Sequence, residues 1–263
     1  MRKIIFILLF CFAALNLSAQ GFNWQYSPRL PFDYPFVFAG LSGGADYFIH
    51  KGQLDLKEGK GDCCSFRTGT GIGTSFGLAG EFWYTGLIAF SAKLGVTFNN
   101  GTFLADGQAT PFTEQGTSQR ILGRDTVLFQ NKLVSNIGYL NLELGAKWRL
   151  MESHFHVGAA VEIGYLISNT FTQTESVVSP SWWVYPALNT QQRTVASWTM
   201  TNVSKISFSP RIRFGYDLTF GLGMYATPMV TFGFPLQNIA DTGSWQTWYF
   251  NIGITLYRGL LYR

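Results

Sequence analysis

The sequence predicts an all-β protein: a closed, eight-stranded antiparallel transmembrane up-and-down β-barrel behind a cleaved signal peptide. Three observations predict it. Apolar residues recur at every second position in eight segments, the period of a strand whose two faces meet different surroundings. Short and long connections alternate between those segments, as they do in transmembrane barrels. Composition agrees, with 47% hydrophobic, 17% aromatic and only 13% charged residues among 263. A soluble domain carries about 25% charged residues.

The chain opens with Met1-Arg2-Lys3, an apolar run from Ile4 to Leu15, and a small-residue end at Ala19. A basic start, a short apolar stretch and a small residue make a secretory signal peptide, assigned to residues 1–19. The apolar run is too short for a membrane helix, which needs about 20 residues. Removal of Arg2 and Lys3 turns 19 basic residues into 17, against 15 acidic. That near-balance, without a Lys/Arg run, gives no footprint for nucleic acid. Cys11 leaves with the signal, so Cys63 and Cys64 remain as a neighbouring pair, with a vicinal disulfide or a bond to a partner both open. Residues 20–35 read as an N-terminal periplasmic extension and 36–263 as the barrel.

The expected strands are Phe36–Ile49, Gly71–Tyr84, Leu87–Phe98, Tyr139–Leu150, Phe155–Ile167, Ile206–Tyr216, Leu222–Phe234 and Thr247–Tyr257. The fourth and fifth are clearest. Leu140, Leu142, Leu144, Ala146, Trp148 and Leu150 share one face, and Asn141, Glu143, Lys147 and Arg149 the other. Pro210 and Pro228 fall inside the sixth and seventh strands, where each removes a ladder donor, so bulges or bends are expected there. The long connections 51–70, 99–132, 168–205 and 235–246 are expected as external loops, with both chain ends on the periplasmic side.

A four-residue turn at 151–154 sets Trp148 opposite Val157 and Lys147 opposite Gly158. It also sets Glu143 against Glu162, and like charges directly opposite repel. Lys93 and Arg211 count to the same height, so Lys93, Glu143, Glu162 and Arg211 are expected as a lumenal charge belt, with Glu81, Lys147, Arg149 and Arg213 below it. Charges in a spanning segment belong on the inside, paired. Two readings of the belt stay open: a selectivity filter or gate, and a salt-bridge network filling a barrel just wide enough for side chains.

The chain resembles the eight-stranded outer-membrane barrel superfamily, and within it the OmpA-like and PorT-like barrels of Bacteroidetes-type bacteria. The residues that carry the resemblance are Leu17-Ser18-Ala19-Gln20, the run Gly71-Ile72-Gly73-Thr74-Ser75-Phe76-Gly77, and Phe208-Ser209-Pro210 leading to Gly215-Tyr216-Asp217. The resemblance implies an envelope role of the kind such families hold: anchors, adhesins, secretion components or small pores.

No enzymatic or cofactor motif stands out. Gly69, Gly71, Gly73 and Gly77 lack the spacing of a nucleotide loop and read as inward-facing strand positions. His154, His156 and Glu152 could offer metal ligands at a turn, but two histidines without a firm third ligand make a weak site. Ser42, Asp46 and His50 are the one grouping that could suggest a hydrolase. Neither a metal nor a cofactor is expected. Trp182, Trp183, Tyr185 and Trp198 on the third loop, with Phe103, Phe112 and Phe129 on the second, could bind a partner, fold over the barrel mouth or sit at the lipid interface.

The expected function is therefore a non-enzymatic outer-membrane barrel with a filled lumen. Its long loops would serve surface interaction or envelope integrity, and its partners would be lipid and a surface or envelope protein. The alternative is a small passive channel for ions or small or hydrophobic solutes. A secreted β-sandwich would show similar alternation, without the short and long connections.

Overall fold

A computed structural model of the protein describes residues 35–54, 66–106, 110–111, 126–150, 153–185, 187–220, 223–240 and 244–262. The signal peptide, nearly all of the N-terminal extension, Cys63, Cys64, Phe112 and Glu152 lie outside them.

The described chain forms β1 (Pro35–Leu54), β2 (Phe66–Trp83), β3 (Ile88–Asp106), β4 (Thr110–Pro111), β5 (Thr126–Arg149), β6 (Phe155–Ser179), β7 (Gln192–Trp198), β8 (Ile206–Tyr216), β9 (Leu218–Thr219), β10 (Met224–Gly233) and β11 (Gln246–Tyr262). Eight of these close a ring in the order β1-β2-β3-β5-β6-β8-β10-β11, and β11 pairs with β1 antiparallel. The short pieces β4, β7 and β9 pair with β5, β6 and β10.

The register gives the cylinder its dimensions. One circuit runs Val37, Phe82, Phe90, Ala146, Ala159, Ile212, Phe232, Phe250 and back to Tyr47, ten residues along β1 from its start. For eight strands spaced about 4.7 Å apart, with a rise of about 3.3 Å per residue, that stagger sets a tilt of about 41° and a backbone radius of about 8 Å.

Burial is inverted relative to a water-soluble domain. Leu41, Ile72, Leu78, Leu94, Leu144, Ile163, Ile252 and Leu256 are all exposed on the outer face. Asp46, Glu81, Glu143, Lys147, Arg149, Glu162 and Arg211 are buried within. Outward aromatics edge this belt at both ends: Tyr84, Trp148 and Phe155 at the short-turn end, and Tyr47, Phe98, Tyr165 and Trp248 toward the long loops. From Leu140 to Leu150 the belt covers about 33 Å of strand, or about 25 Å of height at this tilt, the thickness of the apolar band of a transmembrane barrel. A closed ring leaves no backbone edge to lipid within the belt. No helix among the described residues is long and apolar enough to cross a membrane.

The strands run well past the expected limits. β5 begins at Thr126 rather than Tyr139, β6 continues to Ser179 rather than Ile167, and β3 reaches Asp106, so much of the expected external loops is paired wall. Above the belt the outer face of β5 carries Gln130, Lys132 and Asn136 beside Leu128 and Val134, while Leu133, Ile137 and Phe171 turn inward and are buried. The hydrophobic alternation changes phase near Gly138–Tyr139, where the β5–β6 register also shifts.

The prolines produce no bulge. Pro210 pairs with Val161 in an unbroken β6–β8 ladder. On its β10 side, Phe234 donates its N–H to the Pro210 carbonyl at 3.0 Å, and Ser209 Oγ donates to the Phe234 carbonyl at 3.2 Å, supplying the donor that proline lacks. Opposite Pro228 the β8–β10 ladder stops, then resumes in the same register through β9.

Candidate functional site

The lumen is the candidate site, and it is organised in tiers. At the short-turn end, inward positions of β2, β5 and β10 bring Glu81, Lys147 and Tyr225 together. Lys147 Nζ lies 2.8 Å from Glu81 and 3.2 Å from Asp217, and Arg149 Nη2 lies 3.0 Å from Asp217. Thr227 Oγ1 donates to Asp217 Oδ1 at 2.8 Å. His156 Nδ1 approaches the same carboxylate at 3.6 Å. Trp83, Phe38, Ala79, Ala89, Tyr225 and Tyr257 pack around this tier, and the Lys147 ammonium sits 4.7 Å from the Trp83 ring centre. Alternation did not single out Asp217, because it stands between β8 and β9, just beyond the periodic segment. Its signal was its isolation: an acid directly after an apolar strand.

The middle tier brings Lys93, Glu143, Glu162 and Arg211 to neighbouring positions of β3, β5, β6 and β8. Lys93 stands opposite Glu143 in the β3–β5 register, and Glu143 opposite Glu162 in that of β5–β6. Arg211 bridges the two carboxylates, with Nη1 3.0 Å from Glu143 Oε2 and Nη2 bonded to Glu162 Oε1. Its guanidinium lies 4.1 Å from the Tyr249 ring centre. Arg213 departs from the expected lower position, because its long side chain reaches up to Glu143 Oε1 at 2.9 Å and to Ser91 Oγ at 2.8 Å. Asp46, held by Ser75 and Asn251, completes this tier. Three cations (Lys93, Arg211, Arg213) therefore stand with three carboxylates.

Above the belt the lumen is closed by apolar groups. Trp245, Phe66, Phe103, Phe171, Leu133 and Ile137 form one buried cluster with Met200, Val203 and Ala240. The segments that follow β7 and β10 fold inward to supply the last three, joined by the Val203–Ala240 bridge. Trp245 Nε1 donates to His50 Nδ1 at 3.2 Å, and the other His50 nitrogen lies 3.2 Å from the Asn100 carbonyl.

The Ser42, Asp46 and His50 grouping is not assembled as a relay. Ser42 Oγ donates to the Gly77 carbonyl, Asp46 binds Ser75 and Asn251, and His50 binds Thr247, Asn100 and Trp245. Among the described residues no three His, Cys, Asp or Glu side chains are placed to share a metal. At the 153–154 turn, burial and the Arg149 charge hold the His154 imidazole below its ordinary pKa. The Gly-rich stretch of β2 faces inward, where Gly69 lies under the Phe103 ring and Gly73 under Phe48.

The loop aromatics divide. Trp198 stacks on Phe171 against the plug. Trp183 and Tyr185 pack edge-on at 4.9 Å and contact Phe129. Arg193 lies 4.8 Å over Tyr185 and pairs with Glu175, and burial together with the Glu175 charge pushes the Tyr185 hydroxyl up to about 12. Trp182 is exposed on the outer surface.

No family model matches the sequence, and no curated protein matches it. The chain is similar to solved outer-membrane proteins. Ail, the attachment invasion locus protein of Yersinia pestis, is 9% identical over 84% of this chain and 97% of that chain, with a TM-score of 0.32. The outer membrane protease OmpT from Escherichia coli is 10% identical over 89% and 99%, with a TM-score of 0.38. OprG from Pseudomonas aeruginosa is 10% identical over 86% and 98%, with a TM-score of 0.35. The fold assignment rests on the closed register and the lipid-type exterior of this chain.

Proposed function

We propose that the protein is a non-enzymatic, non-conducting outer-membrane β-barrel. In this reading its tall extramembrane wall serves surface interaction or envelope integrity. Lipid surrounds the belt, and a surface or envelope protein meets the wall formed by β5, β6 and β7 near the exposed Trp182. The observation that carries the reading is a lumen blocked twice in series, by the Arg211–Glu143–Glu162 layer and by the apolar plug around Trp245. A passive channel needs a continuous wet path, and an eight-stranded barrel is just wide enough for side chains to fill it or for one small ligand. Such a role is among those held by the OmpA-like and PorT-like barrels that the sequence resembles.

Planar-bilayer recording of the refolded, purified protein tests this. The expected trace stays at the leak level across ±100 mV, a range chosen on the order of physiological potentials. Steady nanosiemens-scale steps would overturn the closed reading in favour of the channel.

A further inference from the structure

Between the Arg211 layer and the apolar plug lies a cavity of about 80 Å³. A single water needs about 10–15 Å³ on this measure, so the space takes about six waters or a small solute of that size. Its lining includes Asn99, Asn141, Tyr139, Tyr249, Ser207 and the paired Arg211 and Glu162. We propose that this cavity binds a neutral, polyhydroxylated group, either a sugar ring or a headgroup polyol. It would enter through the seam between the upper end of β8 and the segment after β10.

Unspent hydrogen-bonding capacity is the first argument. Asn99 Oδ1, Asn141 Oδ1 and Arg211 Nε are buried without a protein partner. Each belongs to a side chain no more than 6% exposed, and all three residues line the cavity. Asn141 gives its amide nitrogen to Thr97 Oγ1 at 2.7 Å, which turns its oxygen away from that bond. Arg211 spends both terminal nitrogens on Glu143 and Glu162, leaving Nε. Buried polar atoms without partners are rare in native proteins and point to a water or another small polar group beside them. Two acceptors and one donor suit hydroxyl groups, which both donate and accept.

Charge supplies the second argument. By formal charge the middle tier sets three cations against three carboxylates, and the Arg211 and Glu162 that line the cavity are already paired with each other, so a charged ligand finds no free counter-charge there. Tyr139 and Tyr249 also line the cavity, with the Arg211 guanidinium already over the Tyr249 ring.

The third argument is the route in. The regular β8–β10 ladder ends at Arg211–Gly233. Beyond it the seam is held by the Phe234–Pro210 and Ser209–Phe234 bonds and by Gln237 Nε2 on the Ile206 carbonyl. The outward Phe208 lines the cavity at this seam. Phe208 and Phe234 stand in the upper aromatic edge of the belt, the depth of lipid headgroups. The ligand chemistry is therefore shared by a glycolipid headgroup and a free sugar.

Native mass spectrometry of the full refolded chain, in a detergent without sugar, separates the sources. One arm adds free methyl glucoside, a second glucosyl diacylglycerol, a third glucuronic acid, and a fourth phosphatidylcholine as the tail control. Binding of the glycolipid alone identifies a membrane ligand, and binding of the free glucoside, with or without the glycolipid, a solute. Either result supports the site if the glucuronate and phosphatidylcholine arms are at least tenfold weaker. Asn141→Leu removes an acceptor and Ser207→Phe fills the space. Each should weaken binding at least tenfold while the unheated gel band still runs as the folded form; if one variant loses that band, the other decides. No binding of either glucosyl probe, equal binding of glucuronate or phosphatidylcholine, or binding unchanged in a folded variant would overturn the proposal and leave a cavity filled by water.

Discussion

Arg211 shows how one side chain can decide whether two strands are able to pair. The short turn before β6 and the apolar outer face of β5 and β6 set Glu143 opposite Glu162 on the lumenal side. Arg211, from the neighbouring β8, binds both. Arg211→Met removes the bridge and leaves two buried carboxylates sharing Lys93 and Arg213. Breaking a buried ion pair by removing one partner costs about 3–5 kcal/mol. The folded gel band of Arg211→Met is therefore expected to convert at a lower temperature and lower urea concentration than the parent. Adding Glu162→Gln to that variant should recover part of the loss, because it removes the repulsion. A variant as stable as the parent would show that the bridge carries no stabilisation. The Glu143–Glu162 opposition was legible because a short turn fixes the register by counting. The attachment of Arg213 to Glu143 was not, because position in a strand gives the height of Cα and not of a guanidinium several bonds away.

At the scale of the element, the spanning halves of the strands were legible and the upper halves were not, for one physical reason. Alternation announces a strand only where its faces meet different solvents in a constant sense. From Leu140 to Leu150 lipid lies outside and polar groups lie inside. From Val127 to Gly138 the inward positions hold Val127, Leu133 and Ile137 with the buried polar Asn131 and Ser135 among them, and the outward ones include Gln130, Lys132 and Asn136, so the apolar pattern no longer keeps one sense and reads as a polar loop. Residues such as Trp245 and Met200 reach the plug from separate connections, and no local period reports that. The glycines of β2 are legible in a different way, since their spacing marks a face where backbones or rings come close. A Cβ at Gly73 would lie 1.9 Å from the Phe98 carbonyl and 2.7 Å from the Phe48 ring, so neither the neighbouring strand nor the inward ring leaves it room. Gly73→Val is expected to abolish the heat-modifiable folded band and to deplete the protein from the membrane pellet. Gly80→Ala, whose Cβ meets only contacts of 3.9 Å or more, should leave both unchanged. A folded Gly73→Val protein would mean that β2 and β3 can separate without loss of the ring.

For the whole molecule, the ten-residue stagger of eight strands gives a cylinder of about 8 Å backbone radius, and side chains then occupy most of the interior apart from the cavity above the Arg211 layer. The short-turn tier pairs Lys147 and Arg149 with Glu81 and Asp217, and the middle tier balances its own charges, so the lumen is close to neutral along its length. The two closures are chemically unlike. The plug is made of rings and aliphatic groups whose one indole donor, at Trp245, is spent on His50, whereas the middle tier carries Arg211 and Arg213 paired with Glu143 and Glu162. They also stand in series, so the resistance of the path is set by whichever remains. Trp245→Ala alone should open the plug and leave the Arg211 layer intact, with no conductance. Arg211→Ala alone should leave the plug dry and closed. The two together should produce voltage-independent steps, smaller than those of a wide porin because the Lys147–Asp217 tier still narrows the bore. The recordings are interpretable only for variants that retain the folded gel band. Conductance in Trp245→Ala by itself would show that the charged layer is permeable and that closure rests on the plug alone. Silence in a folded double variant would place the decisive barrier in the short-turn tier, among Trp83, Tyr225 and Tyr257.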